Sequence, residues 1–187
     1  RILDLCLLLP AAPLLLLVIA GLALVVFVVD GRPLFFSQLR LGRRRCSFRI
    51  WKLRSMTLEV DPRRRKPTRF GGWLRGRGLD EIPQILNVLL GDMSLVGPRP
   101  LTPADADRQI AQHPPFARRY SLRPGITGLA QVCGARGVAL TARLDAEYAR
   151  RRGVRLDLVI LLKTLWINVV CKRGGARALP PDEGASR

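Results

Sequence analysis

Histidine is nearly absent from this 187-residue chain: the single one, His113, precedes Pro114-Pro115 in a loop and is assigned no catalytic role. The four cysteines, Cys6, Cys46, Cys133 and Cys171, are scattered without a CxxC pair. Zinc sites need clustered Cys and His, and disulfide scaffolds need regular pairs, so neither is indicated and the thiols read as free. Negative charge is also scarce, with 14 Asp+Glu against 32 Lys+Arg and a net charge of +18. Yet mean hydropathy is positive, at +0.13. That combination argues against a soluble nucleic-acid binder and suits a protein that lies on anionic lipid and holds phosphorylated ligands. Arginine outnumbers lysine, and its planar fork fits phosphate. There is no internal repeat, and the length allows one domain with a core plus appendages.

What the chain does have is a long apolar run. Ile2 to Val29 is broken only by Asp4, Pro10, Pro13 and Gly21. As a straight helix it would extend roughly 42 Å, more than the ~30 Å hydrocarbon core of a bilayer. It is too long for a cleaved signal peptide and has no small-residue cleavage site. Two readings remain: a transmembrane helix kinked at Pro10 and Pro13, which the residues alone favour, and a re-entrant helix–break–helix returning to the same face. Gly31 to Gly78 then holds fifteen Lys/Arg and only two acids, Glu59 and Asp61, which marks the cytoplasmic side. Residues 33–38 and 46–53 read as two short strands around the basic turn Arg40–Arg45. The run Asp61–Pro67 has no apolar face and reads as a solvated or lipid-facing loop.

The stretch Leu79–Pro100 (LDEIPQILNVLLGDMSLVGPRP) is the centre of the chain. Asp80 and Glu81 are adjacent, Pro83 is tolerated in a first helical turn, and Ile82, Ile85, Leu86, Leu89 and Leu90 recur at helical spacing before Gly91. This predicts a helix with the carboxylates at its exposed start. Acidic residues there complement the macrodipole, and that alone accounts for most such pairs. Arg75 and Arg77 lie just upstream, placed either to orient a phosphate or to pair with the carboxylates. Downstream, residues 104–117 predict a helix. Arg123, Thr127 and Gln131, with Gly125 and Gly128, form either a ligand-binding loop or a plain turn. Residues 141–151 predict a basic helix, and residues 155–172 a helix lying in a membrane interface or in a core. The end of the chain, residues 173–187, is polar and Pro/Gly-rich and reads as a disordered tail.

Several blocks in order resemble one family, the bacterial sugar transferases, which are monotopic polyprenyl-phosphate phosphoglycosyl transferases. They are Arg1-Ile-Leu-Asp4, Phe35-Phe-Ser-Gln38, Lys52-Leu-Arg-Ser-Met56, Leu79 to Pro100, Arg123-Pro-Gly-Ile-Thr-Gly128 with Ala130-Gln-Val132, and Leu156-Asp-Leu158. The resemblance implies transfer of a sugar-1-phosphate from a UDP-sugar to polyprenyl phosphate, with Mg²⁺ as cofactor and UMP released. It implies a membrane-lipid setting and no nucleic acid, at the cytoplasmic face of the bacterial inner membrane. By the same resemblance Asp80 is the nucleophile and Glu81 its partner, both holding the metal. Arg75, Arg99, Asp157 and, approximately, Arg136 align with the family's substrate-binding positions; Arg123 and Gln131 join them as substrate-binding candidates from the loop's own residues, and Pro10 and Pro13 are the candidate membrane break. The family's Ser-Pro break falls on Leu17 here, and Gly78 stands where serine or threonine is common.

The expected fold class is α+β and mainly helical: a membrane helix at 1–30, a cytoplasmic catalytic domain at 31–172 with a short β-hairpin and interfacial helices, and the tail. A basic membrane-bound scaffold without catalysis is the competing reading. Nucleic-acid binding through Arg40–Arg77 is a third, disfavoured because no groove-reading motif is present.

Overall fold

The computed structural model describes residues 1–61 and 64–168. The expected tail, and the end of the last predicted helix, lie outside the described residues. The first element, α1 (Ile2–Asp30), runs unbroken through Pro10 and Pro13. Its buried positions are Asp4, Leu8, Ile19, Ala23 and Val26, with Leu15 and Leu22 packed between them. This spacing draws one stripe along a helix that is apolar all round. The other faces, including Leu9, Leu14, Leu17, Leu24 and Val28, are exposed.

Both ends of α1 are fastened to the same globular body. At the start, Asp4 accepts hydrogen bonds from Ser94 Oγ (2.8 Å) and from the Leu95 amide (3.0 Å). At the end, Asp30 accepts from Thr68 Oγ1 (2.6 Å) and the Phe70 amide (3.3 Å). Arg54 donates to the carbonyls of Asp30, Gly31 and Arg32, which satisfies orphan acceptors beyond the last turn. The expected break at Pro10 and Pro13 is therefore corrected: the helix is continuous there, and its two ends pack on one body.

The expected hairpin forms, with its first strand running on through Arg40, which the sequence had placed in the turn: β1 (Phe35–Leu41) pairs antiparallel with β2 (Ser47–Leu53), from Phe35↔Leu53 to Leu41↔Ser47. Arg43–Arg45 form the tight turn between them. A short helix α2 (Gly71–Arg77) stops at Gly78, whose φ of 70° suits glycine. Next comes a 3₁₀ segment, Leu79–Gln84, followed by α3 (Ile85–Leu90), capped by Gly91 at φ 95°. Asn87 of α3 braces β2: its Nδ2 donates to Arg49 O (2.8 Å), and its Oδ1 accepts from the Trp51 amide (3.3 Å). One amide side chain thus takes the place of a neighbouring strand on the edge of β2.

A second sheet was not evident in the sequence. β3 (Ser94–Val96) and β4 (Gly125–Thr127) pair in parallel, Ser94↔Gly125 and Val96↔Thr127. A Cβ on Gly125 would stand 2.1 Å from Gly97 N, and one on Gly128 would stand 2.1 Å from Gly97 O. The close approach these glycines permit is therefore to the chain's own backbone. Between the strands, α4 (Pro103–Gln112) is N-capped by Thr102, which accepts from the Asp105 amide. Three helices close the fold: α5 (Leu129–Val132), α6 (Val138–Arg151) and α7 (Val154–Trp166). In α7 only Ile160 is buried, while Val154, Val159, Leu162, Leu165 and Trp166 are exposed, so the core-helix reading fails. The main core joins Leu8, Ile19, Ile50, Ile85, Val88 and Met93, and so seats α3 between α1 and β2.

Candidate active site

The αL reversal at Gly78 turns the acidic pair onto the hairpin, and Pro83 sits inside the 3₁₀ segment that follows. The expectation of exposed carboxylates at a helix start is corrected here. Asp80 is only 5 % exposed, because the 3₁₀ turn packs against β2 and the loop after it. Ser55 Oγ donates to Asp80 Oδ2 at 3.3 Å. Burial and then the charge of Glu81 raise the Asp80 carboxyl above its ordinary value, while Lys52, Arg75 and the Ser55 hydrogen bond oppose the rise. Glu81 is held by Lys52, with Nζ–Oε1 at 2.6 Å, and Arg99 Nη2 approaches the same oxygen at 3.8 Å.

Beside Glu81 lies a shallow open cleft lined by Arg40, Ile50, Lys52, Glu81, Gln84, Arg99, Pro100, Gly125 and Ile126, and the buried Asp80 is not among its lining residues. Three cations face one carboxylate, a wall suited to a polyanion such as a diphosphate. Lys52 and Ser55 were missed as site residues. The signal for Lys52 was its parity in β2: it shares the inward face with the buried Ile50. Ser55, in the loop after β2, carried no such signal.

The other predicted positions are spread around this centre. Arg75 is exposed on α2, and its charge reaches Asp80. Arg123 is half-buried beside the Gly97 turn and does not line the cleft. Gln131 Nε2 donates to Ile126 O at 3.3 Å and so braces a cleft-lining residue. Arg136 is exposed in the loop between α5 and α6. Asp157 starts α7 and accepts from Tyr148 Oη at 2.8 Å. Burial raises its carboxyl and the Tyr148 bond opposes this; the charges it feels are those of Asp4, the Arg1 amino group and Arg152 rather than the cleft acids. Asp80, Glu81, Arg99 and the flanking Arg75 are thus brought together; Arg136 and Asp157 are not.

A divalent cation is compatible with this donor set. Among the described residues no group of three or more His, Cys, Asp or Glu forms a cage. Mg²⁺ takes one or two carboxylates and completes its shell with phosphate and water oxygens, which two adjacent acids can satisfy. The charge of Glu81 raises the Asp80 carboxyl, and a shared cation would relieve that repulsion.

The bacterial sugar transferase family model matches residues 1–172. A UDP-glucose:undecaprenyl-phosphate glucose-1-phosphate transferase from Caulobacter vibrioides is 43% identical over 82% of this chain and 62% of its own length. An undecaprenyl-phosphate glucose phosphotransferase from Komagataeibacter xylinus is 39% identical over 85% of the chain and 33% of its own. A galactosyl transferase from Streptococcus agalactiae is 37% identical over 73% of the chain and 34% of its own. The chain thus spans from a third to about three-fifths of the length of these relatives. With the matched region covering almost all of its length, the chain belongs to the bacterial sugar transferase family.

Proposed function

We propose that the chain is a phosphoglycosyl transferase that moves a sugar-1-phosphate from a UDP-sugar to a polyprenyl phosphate such as undecaprenyl phosphate. The observation that carries this is a buried carboxylate, Asp80, adjacent in the chain to Glu81, which lines a cleft with Arg40, Lys52 and Arg99. In the first step an Asp80 carboxylate oxygen attacks the sugar-bearing β-phosphorus. The bond from that phosphorus to the bridging oxygen breaks, UMP leaves with the electron pair, and an aspartyl-phosphosugar forms. In the second step a phosphate oxygen of the polyprenyl phosphate attacks the same phosphorus and the aspartyl bond breaks. Asp80 is regenerated and a polyprenyl diphosphosugar is released.

Both nucleophiles are already anions near neutral pH, so neither step requires a base to remove a proton. That suits a cleft whose lining contains no histidine. The difficulty is bringing anion to anion, and the cations answer it. Lys52 restrains Glu81 and lowers the cost of ionising Asp80, while Arg99 and Arg75 offer charge for the phosphates. Asp80 and Glu81 would hold Mg²⁺, which when bound would supply Lewis-acid neutralisation of charge on the phosphate oxygens. The exposed apolar faces of α1 and α7 seat the protein on lipid, where the acceptor is found. The basic residues next to α1 favour the cytoplasmic face of the bacterial inner membrane. The relatives act with glucose or galactose by their names, so the sugar is identified by a donor panel.

The test measures UMP release from UDP-sugars in detergent with a polyprenyl phosphate and Mg²⁺. Asp80→Asn should reduce it by about 10³-fold or more, EDTA should stop it, and mass spectrometry should locate a phosphosugar on Asp80. Release by Asp80→Asn within tenfold (about 1.4 kcal/mol) of the wild type sinks the mechanism.

A further inference from the structure

Arg40, which the family motifs above do not include, is the cleft cation whose charge is least compensated. It stands on β1 with Nη2 donating to Gln38 Oε1 at 2.6 Å and Nη1 to Pro100 O at 3.3 Å, both neutral acceptors. Its Nε is buried and has no partner among the described residues. The carboxylates within its electrostatic reach, Glu81 and Asp105, are engaged elsewhere: Glu81 by Lys52 at 2.6 Å and Asp105 by Arg108 at 2.6 Å. Burial and then the like charge of Arg99 push the Arg40 guanidinium below its ordinary value, and the two acids only partly oppose this.

A half-buried guanidinium held by neutral groups and facing another arginine is expensive unless an anion joins it. A purely bracing role would not need it. The backbone bond from Leu41 N to Leu101 O (2.9 Å) already ties the hairpin to the segment after Pro100. Gln38 and Pro100 fix the planar fork, so little further ordering is lost on binding.

We infer that Arg40 is a phosphate-binding residue of the cleft, taking a phosphate oxygen of substrate alongside Arg99. This rests on the cleft being the transfer site. The phosphate belongs either to the donor's diphosphate or to the acceptor's phosphomonoester, and the experiment separates them.

Binding is measured by calorimetry in the Asp80→Asn protein, with UDP in one arm and micellar farnesyl phosphate in the other. Uridine serves as the phosphate-free control, and the melting temperature is recorded for every variant. Adding Arg40→Gln should weaken one arm by roughly 10- to 100-fold, the range for a hydrogen bond to a charged group, and flatten its salt dependence. The weakened arm identifies the phosphate, and Arg40→Lys should restore part of the loss. Binding within threefold of the parent in both arms, or no binding of either probe by the parent, would overturn the assignment. So would an equal loss in Arg40→Gln and Arg40→Lys with matching falls in melting temperature, since Arg40 would then only brace Pro100. Failure of the transfer mechanism shows separately, as turnover that survives Asp80→Asn.

Discussion

Replacing Asp145 by Asn should stabilise the protein relative to wild type more at neutral pH than in acid, the reverse of the usual effect of losing an ion pair. Asp145 on α6 and Arg119 are both buried, with Arg119 Nε 3.3 Å from Asp145 Oδ2 but not aligned as a hydrogen bond. Burial pushes the Asp145 carboxyl from an ordinary 3.8 up to about 6, with the Arg119 charge opposing only in part. The shift corresponds to about 3 kcal/mol. Between pH ~4 and ~6 the folded protein holds a proton that the unfolded chain has released, so stability is highest below pH ~4 and falls as pH rises through ~6. Asn mimics the protonated acid permanently. The difference in Tm, variant minus wild type, should therefore grow by about 6–12 °C between pH 4 and 7.5, at ~2–4 °C per kcal/mol for a chain of this size. Scanning fluorimetry in detergent reads it from the three tryptophans. A difference that is flat or shrinks across that range refutes the reasoning. The pair also bears on the cleft, because Arg119 Nη2 donates to Arg99 O at 2.8 Å.

Lys52→Met should lower kcat/KM for UMP release by about 10²–10³-fold, the usual cost of one preorganised charge at a reacting phosphate. In the same variant Asp80, held up by burial and by Glu81, loses an opposing charge, so the acid limb of the pH–rate profile should move to higher pH; a limb that stays put contradicts this. Gly128→Ala places a Cβ 2.1 Å from Gly97 O, and backbone cannot rotate away as a side chain can. Tm should fall by about 4–12 °C, from ~2–3 kcal/mol of overpacking, and an unchanged Tm would show that the crossing is looser than described.

The hairpin was legible because two short aromatic-containing runs, 33–38 and 46–53, flank a basic turn, and the end of α3 because Gly91 breaks a helical period. The acidic pair was legible as a pair, but its burial was not. Asp80 is covered by a turn geometry and by Ser55, 25 positions away, and neither leaves a mark in local periodicity. Strands β3 and β4 escaped notice for a related reason: three residues each are too few to show alternation, and their pairing joins segments thirty-one positions apart. Arg40 was read as part of a basic run, because nothing in its neighbours in sequence says that its guanidinium meets Pro100 and Arg99.

Where Gly97 crosses Gly125 and Gly128 there is no room for even a methyl group, and that crossing lies two residues before Arg99 and two after Arg123. The two guanidinium-bearing segments are welded at their roots and travel as one piece. Accommodating a bulkier or smaller ligand by bending the main chain is closed off at this point. Variation in what the cleft accepts has to be written in the side chains that surround the weld.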